Sequence, residues 1–168
     1  QVFVQDAFSN SHRDHASMTG IPKLLPSAAG LEVEAEMRML QSLNKPKKPY
    51  VVVLGGVKMK DKGAVIKTLL KKADAILIGG AMALTFYKNM GKEVGITVGE
   101  EYPTKALLQS KKIMLPVDFK ILHKGKTNTV GADNVPKDAR CLDNGPETTA
   151  IFSEIINNAK TILWSGPM

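Results

Sequence analysis

The rhythm of apolar and polar positions changes at residue 50. Before it, Val2 to Val4 form a short apolar run, and "DAFSNSHRDHAS" is polar and turn-rich. "GIPKLLPSAAG" holds Pro22, Pro26 and two glycines and reads as a connector, with Ser27 placed to cap a following helix. In "SAAGLEVEAEMRMLQSLNK", Val33, Met37 and Leu40 share one helical face, with Leu43 nearby. Glu32, Glu34 and Glu36 come early, where the positive end of a helix dipole favours acids. "NKPKKP" ends this helix.

From Tyr50 onward, short apolar runs alternate with amphipathic stretches. "YVVVLGG" predicts a strand, and "DKGAVIKTLLKKA" a helix with Val65, Ile66, Leu69, Leu70 and Ala73 on its buried stripe. "AILIGG" predicts a second strand, and "AMALTFYKNMG" a helix stopping at Gly91. "EYPTKALLQSK" predicts a further helix. "KIMLPVDFKIL" is strand-like but broken by Pro116, and "GKTNTVGADNVPKDARC" is irregular or hairpin-like. "PETTAIFSEIINNAK" predicts a helix through Ile151, Phe152, Ile155, Ile156 and Ala159, and "TILWSGP" a last strand. Continuously apolar strands between amphipathic helices indicate an α/β fold: a doubly wound parallel sheet, Rossmann-like, in three α/β/α layers. Ligands of such sheets gather at the carboxyl ends of the strands. Three strands here end alike, in "LGG", "IGG" and "WSGP", so their glycines should lie along one rim.

Composition narrows the function classes. The chain has 168 residues, 43% hydrophobic and 23% charged, as in a globular protein with a real core. No apolar run approaches the ~20 residues that cross a bilayer. The single cysteine, Cys141, leaves no intrachain disulfide and fits a reducing compartment. The formal charge is +7, but its lysines are scattered in pairs and aromatics are only 5%. Nucleic-acid readers cluster their basic residues and interleave aromatics for stacking, so a nucleic-acid role rests on net charge alone.

Candidate chemistry centres on "GGVKMKDK". Gly55 and Gly56 would let a ligand approach the backbone, and the following helix start offers amide N–H groups to phosphate. Lys58 and Lys62 are four apart and could point the same way. The alternative is a tight turn with solvated lysines. Gly79 and Gly80 form a second small-residue rim, suited either to a flat ring or to close helix–strand packing. "SHRDHAS" groups His12, Arg13 and His15, an anion clamp or an ordinary surface loop; with no third ligand nearby, zinc is disfavoured. Asp118 and Asp143 are candidates for orienting lysines or binding metal, or for satisfying backbone donors in turns. Neither G-x-S-x-G nor H-E-x-x-H occurs, which leaves hydrolase chemistry unsupported.

Taken in order, "DAFSNSHRDHASMTG", "LPSAAGLEVEAEM", "LGGVKMKDK", "LIGGAMALTF", "LPVDF", "LDNGPET" and "WSGPM" resemble the segments of phosphoglycerate kinases. The resemblance spans nearly the whole chain. It implies part of a two-lobed kinase that moves a phosphoryl group between 1,3-bisphosphoglycerate and ADP, giving 3-phosphoglycerate and ATP, with Mg2+. By the resemblance, Lys58 accompanies the transferring group and is the catalytic residue. Arg13 and His12 belong to the acid-substrate side. Lys62 binds nucleotide phosphates. Gly55, Gly56, Gly79, Gly80, Cys141, Gly166 and Pro167 surround the nucleotide. No metal ligand is implied among these residues; the family's usual metal aspartate would lie after Met168. Such proteins are generally monomeric and cytoplasmic, with no membrane or nucleic-acid partner.

The resemblance divides the chain into residues 1–20, the tail of the substrate lobe; 21–48, a connector and interdomain helix; and 49–168, an incomplete nucleotide lobe. Both ends fall inside core-like runs, so a piece of a longer protein with little activity of its own is expected. Four positions depart from the family pattern. Cys141 replaces a glycine beside the adenine, Ser165 an asparagine, Ala81 a third glycine and Gln5 an asparagine. The Cys141 and Ser165 changes keep a non-catalytic nucleotide-binding module as the alternative.

Overall fold

The computed structural model describes residues 1–97 and 99–168, with only the backbone of residue 61. The chain divides into two compact units, Gln1–Pro46 and Lys47–Met168.

In the first unit, strand β1 (Phe3–Gln5) pairs in parallel with β2 (Ser27–Ala29), Phe3 opposite Ser27. Short helical turns at Phe8–Asn10, Ala16–Gly20 and Ile21–Lys23 lie between them in the chain. Helix α1 (Leu31–Ser42) follows with two acids in its first turn, Glu32 and Glu34. Its cap differs from the sequence expectation. Ser27 lies in β2 and bonds back to the Leu25 carbonyl. The capping group is the Asp6 carboxylate, which accepts from the amides of Glu32 at 2.8 Å and Val33 at 3.1 Å. Gly30 at the N-cap makes this possible, because a Cβ there would fall on the Asp6 carboxylate. The expected apolar stripe is present but shallow: Val33 is half-buried, while Met37 and Leu40 are exposed.

The second unit is built on a parallel four-stranded sheet. Its strands are β3 (Tyr50–Leu54), β4 (Ala75–Ile78), β5 (Ile113–Met114) and β9 (Thr161–Ser165), in the order β5-β4-β3-β9. All five residues of β3 are buried, which is why its run is apolar without alternation. The chain moves outward from β3 to β4 and β5, then returns to place β9 on the other side of β3. The direction of winding therefore reverses between β3 and β9, where α/β sheets open a crevice.

Helices α2 (Met59–Leu69), α3 (Gly80–Asn89) and α5 (Pro146–Asn157) connect these strands, with one short helical turn, α4 (Lys105–Leu108). Phe152, Ile151, Ile155, Ile156 and Ala159 pack with Val51, Val53 and Leu77 on one sheet face. On α2 the buried positions are Met59, Gly63 and Ile66, with Ala73 beyond its end. Val65 is 48% exposed, so it leaves the predicted stripe. The helix begins at Met59 rather than Asp61, and its inward face follows i, i+4, i+7 from there.

Pro116 does more than interrupt a strand. Before it, β5 belongs to the parallel sheet; after it, β6 (Asp118–His123) starts a separate antiparallel sheet. That sheet is completed by β7 (Lys126–Gly131) and β8 (Arg140–Asn144), in the order β7-β6-β8. The hairpin expected at "GKTNTVG" is β6–β7, turning through Lys124 and Gly125, both at positive φ. Phe119 and Ile121 point inward and join Leu84, Tyr87, Val94, Val135 and Ala139 in a core between this sheet and α3. Tyr87 and Phe119 meet edge to face, with centroids 5.6 Å apart.

Candidate functional site

The strand register brings the glycines together. Leu54 lies opposite both Ile78 of β4 and Ser165 of β9. The next residues, Gly55, Gly79 and Gly166, are therefore level at the carboxyl ends of three adjacent strands. Cross-links join this rim: the Gly79 amide donates to the Leu54 carbonyl (2.8 Å), Gly55 to Ser165 (3.0 Å) and Gly56 to Pro167 (2.8 Å). The spacing is too tight for side chains. A Cβ at Gly55 would run into the Pro167 carbonyl, and one at Gly166 would collide with Gly55. Gly56, Gly80 and Gly166 also have positive φ, of 98°, 61° and 92°. Close packing alone thus accounts for most of the rim glycines.

Lys62 is drawn into this rim. Its ammonium donates to the Gly55 carbonyl (3.0 Å), the Ser165 carbonyl (3.0 Å) and the Ser165 hydroxyl (3.2 Å). It bridges β3 and β9 where the winding reverses. Partial burial lowers its pKa from the ordinary lysine value. Lys58 stands differently, exposed at the N-cap of α2 with extended backbone. One first-turn amide of α2 is engaged within the chain: Lys60 N–H donates to the Glu100 carboxylate at 3.0 Å.

Beside the rim lies a cavity of about 160 Å³. Gly80, Ala81 and Leu84 of α3 form one wall; Phe119 of β6 and Cys141 and Leu142 of β8 form the facing one. Cys141 is half-buried; burial pushes its thiol up, and its amide is held by the Thr97 hydroxyl at 2.7 Å. An apolar slot between a glycine-bearing helix start and a strand suits a flat ring. A second cavity of about 180 Å³ lies against Val53, Phe152, Ile156 and Trp164, and shares Asp143, Asn144 and Met168 with the first. A Cβ on Gly79 would meet the Met168 thioether and come within 3.3 Å of the Asn144 amide nitrogen.

Lys62, Gly55, Gly56, Gly79, Gly80, Cys141, Gly166 and Pro167 are therefore close neighbours along one crevice. Arg13 and His12 belong to the first unit, exposed on the turn after Phe8–Asn10. Asp118 turns out to serve backbone donors. It is 5% exposed and accepts from the amides of Glu147 (3.0 Å) and Thr148 (2.8 Å) and from the Thr148 hydroxyl (2.5 Å), capping α5. Asp143 is exposed and caps the amide of its neighbour Asn144. Among the described residues no group of three or more His, Cys, Asp or Glu converges. Sequence reasoning missed Leu84, Phe119 and Met168 in the cavity walls. The inward phase of Phe119 and Ile121 around exposed Lys120 was the available signal for Phe119.

Comparison with known proteins gives a consistent picture. The family model for phosphoglycerate kinase matches residues 1–168. A phosphoglycerate kinase of Staphylococcus haemolyticus is 45% identical over 99% of this chain, and one of Macrococcus caseolyticus is 41% identical over the same share. In each case the match covers 45% of the relative, so the chain spans about half the length of these curated relatives. The solved phosphoglycerate kinase of Coxiella burnetii superposes with a TM-score of 0.83 at 31% identity, covering 99% of this chain and 46% of the other. That of Pyrococcus horikoshii gives 0.82 at 27% identity, covering 100% and 46%.

Proposed function

Since this chain belongs to the phosphoglycerate kinase family, we propose that, as part of a longer kinase chain and with little activity of its own, it serves phosphoryl transfer between 1,3-bisphosphoglycerate and ADP, giving 3-phosphoglycerate and ATP. The observation that carries the reading is the crevice itself. A lysine-bearing rim at the reversal of the sheet adjoins an apolar slot sized for a ring. A nucleotide spanning the two would put its base between Gly80 and Cys141. Its phosphates would lie toward Gly55, Gly56, Gly166 and Pro167, within reach of Lys62.

Phosphoryl transfer spreads negative charge over the equatorial oxygens, so positive charge and positioning contribute most. Lys58, exposed at the start of α2, is the group we assign to the moving phosphoryl. Both reacting oxygens belong to anions, so no proton-abstracting base is required. Arg13, with its planar fork of donors, and His12 would hold the acid substrate. Mg2+ would arrive on the nucleotide phosphates, a mode this ion favours, with one or two protein carboxylates completing its site. In this reading residues 1–20 belong to the substrate lobe, 21–48 to the connector and interdomain helix, and 49–168 to the nucleotide lobe. The protein is proposed to be a cytoplasmic monomer; no helix among the described residues is long and apolar enough to cross a membrane.

Titration calorimetry with Mg-ADP tests the reading. Binding is expected, and Lys62→Ala should weaken it by about tenfold, the loss of one charge-assisted hydrogen bond. No heat with Mg-ADP at millimolar concentration defeats it. Cys141 and Ser165 favour a second reading, a nucleotide-binding module without transfer. The two separate at Lys58. In the longer chain of a kinase, Lys58→Ala lowers turnover far more than it weakens ADP binding. In a binding module there is no turnover to lose.

A further inference from the structure

We propose that Ser165 is a positioning residue for Lys62, and that its hydroxyl is the acceptor a phosphate oxygen displaces. The inference rests on the reading of Lys62 as a phosphate ligand. An ammonium has three protons. In this structure all three have acceptors on the rim: the carbonyls of Gly55 and Ser165 at 3.0 Å, and the Ser165 hydroxyl at 3.2 Å. A phosphate oxygen can bond this ammonium only by taking one of these places.

The three places are not equivalent. Gly55 and Ser165 are held together by the Gly55 amide, which donates to the Ser165 carbonyl at 3.0 Å. The Ser165 carbonyl is fixed by strand pairing, since Ser165 is the last paired residue of β9 opposite Leu54, and the Gly55 carbonyl belongs to the backbone tied to it by that amide. The hydroxyl is the longest of the three contacts and the only one on a rotatable bond. It is therefore the one that can leave without disturbing the sheet. Ser165 holds Lys62 against the rim while no ligand is bound, and phosphate replaces its hydroxyl while the two carbonyls keep their grip. A held state of this kind opposes binding in proportion to its own stability.

Limited acetylation of the ligand-free chain by acetic anhydride, read lysine by lysine by peptide mass spectrometry, tests the positioning. Ser165→Ala should raise the Lys62 rate several-fold and leave Lys58 and Lys60, on the same helix start, unchanged. Ser165→Thr, which keeps the hydroxyl, should restore the slow rate. An unchanged Lys62 rate in Ser165→Ala, or a rise shared equally by Lys58 and Lys60, overturns the proposal. Calorimetry then tests the exchange: Ser165→Ala should bind Mg-ADP about three- to tenfold more tightly than the parent chain. Equal or weaker binding overturns the exchange. Absence of Mg-ADP binding in both proteins defeats the nucleotide reading instead, while the acetylation result still decides whether Ser165 positions Lys62.

Discussion

Gly145 leaves open the space that the Asp118 carboxylate fills. A Cβ at position 145 would fall on that carboxylate, which caps α5 from 30 residues away in the chain. The first unit repeats the arrangement, with Gly30 making room for Asp6 at the start of α1. In both helices the N-cap residue has no side chain, and a distant aspartate supplies the acceptor.

Gly145→Ala should therefore act like removal of the cap. It is expected to destabilise the chain by about 1–3 kcal/mol, comparable to Asp118→Asn, because both lose charged hydrogen bonds to buried amides. Urea unfolding of the two single variants and the double variant checks this. The double variant should cost little more than either alone, since each single change already breaks the same contact.

Asp118 also sets an acid limit. Burial alone would raise its pKa, but the bonds from the Thr148 hydroxyl and from the amides of Thr148 and Glu147 together hold it below the ordinary 3.8. A carboxyl depressed in the folded state stabilises fully above its unfolded pKa and loses that contribution as pH falls through the folded value. The stability gap between the parent chain and Asp118→Asn should be constant from pH 7 to about 5. It should close below about pH 4. A gap that stays constant to pH 2.5 in urea titrations would contradict the cap assignment.

Two rim glycines should respond differently to alanine. At Gly55 the added Cβ meets the fixed Pro167 carbonyl; at Gly79 it meets mainly the flexible end of Met168. Gly55→Ala should cost about 3 kcal/mol by forced backbone movement. Gly79→Ala should cost under about 1 kcal/mol, since a thioether can turn aside. Thermal melting of both variants distinguishes these outcomes.

Cys141 should be a slow thiol. Burial raises its pKa above the ordinary 9.0, so little thiolate exists near neutrality. A disulfide reagent at pH 7.5 should react slowly with the folded chain and at an ordinary rate in urea. If Mg-ADP occupies the neighbouring cavity, it should slow the folded reaction further.

What the sequence disclosed and what it hid follow from how far apart the partners lie. The glycine rim was legible because each strand carries its own ending, and parallel pairing aligns Gly55, Gly79 and Gly166 without further information. The helix caps were not. Ser27 is the nearest polar residue to α1, and local reasoning selects it, yet the acceptor is Asp6, 26 residues before Glu32. Phe119 entered the cavity for a similar reason. Its strand looked like a continuation of the residues before Pro116, whereas it belongs to another sheet. Val65 misled because it adjoins Ile66 in an apolar pair, yet the inward face runs through Met59, Gly63 and Ile66 and leaves Val65 about 100° to one side.

The break at Pro116 has a consequence for how such a site can change over time. The glycine rim is carried by the ends of β3, β4 and β9, while one wall of the neighbouring cavity is carried by β6 and β8, in a sheet with its own hydrogen bonding and its own share of the core. Substitutions between residues 119 and 142 can reshape the slot without shifting the strand ends that hold Lys62. On the proposed reading, the two halves of a nucleotide would be held by parts of the chain that can drift separately, with Cys141 on the ring side.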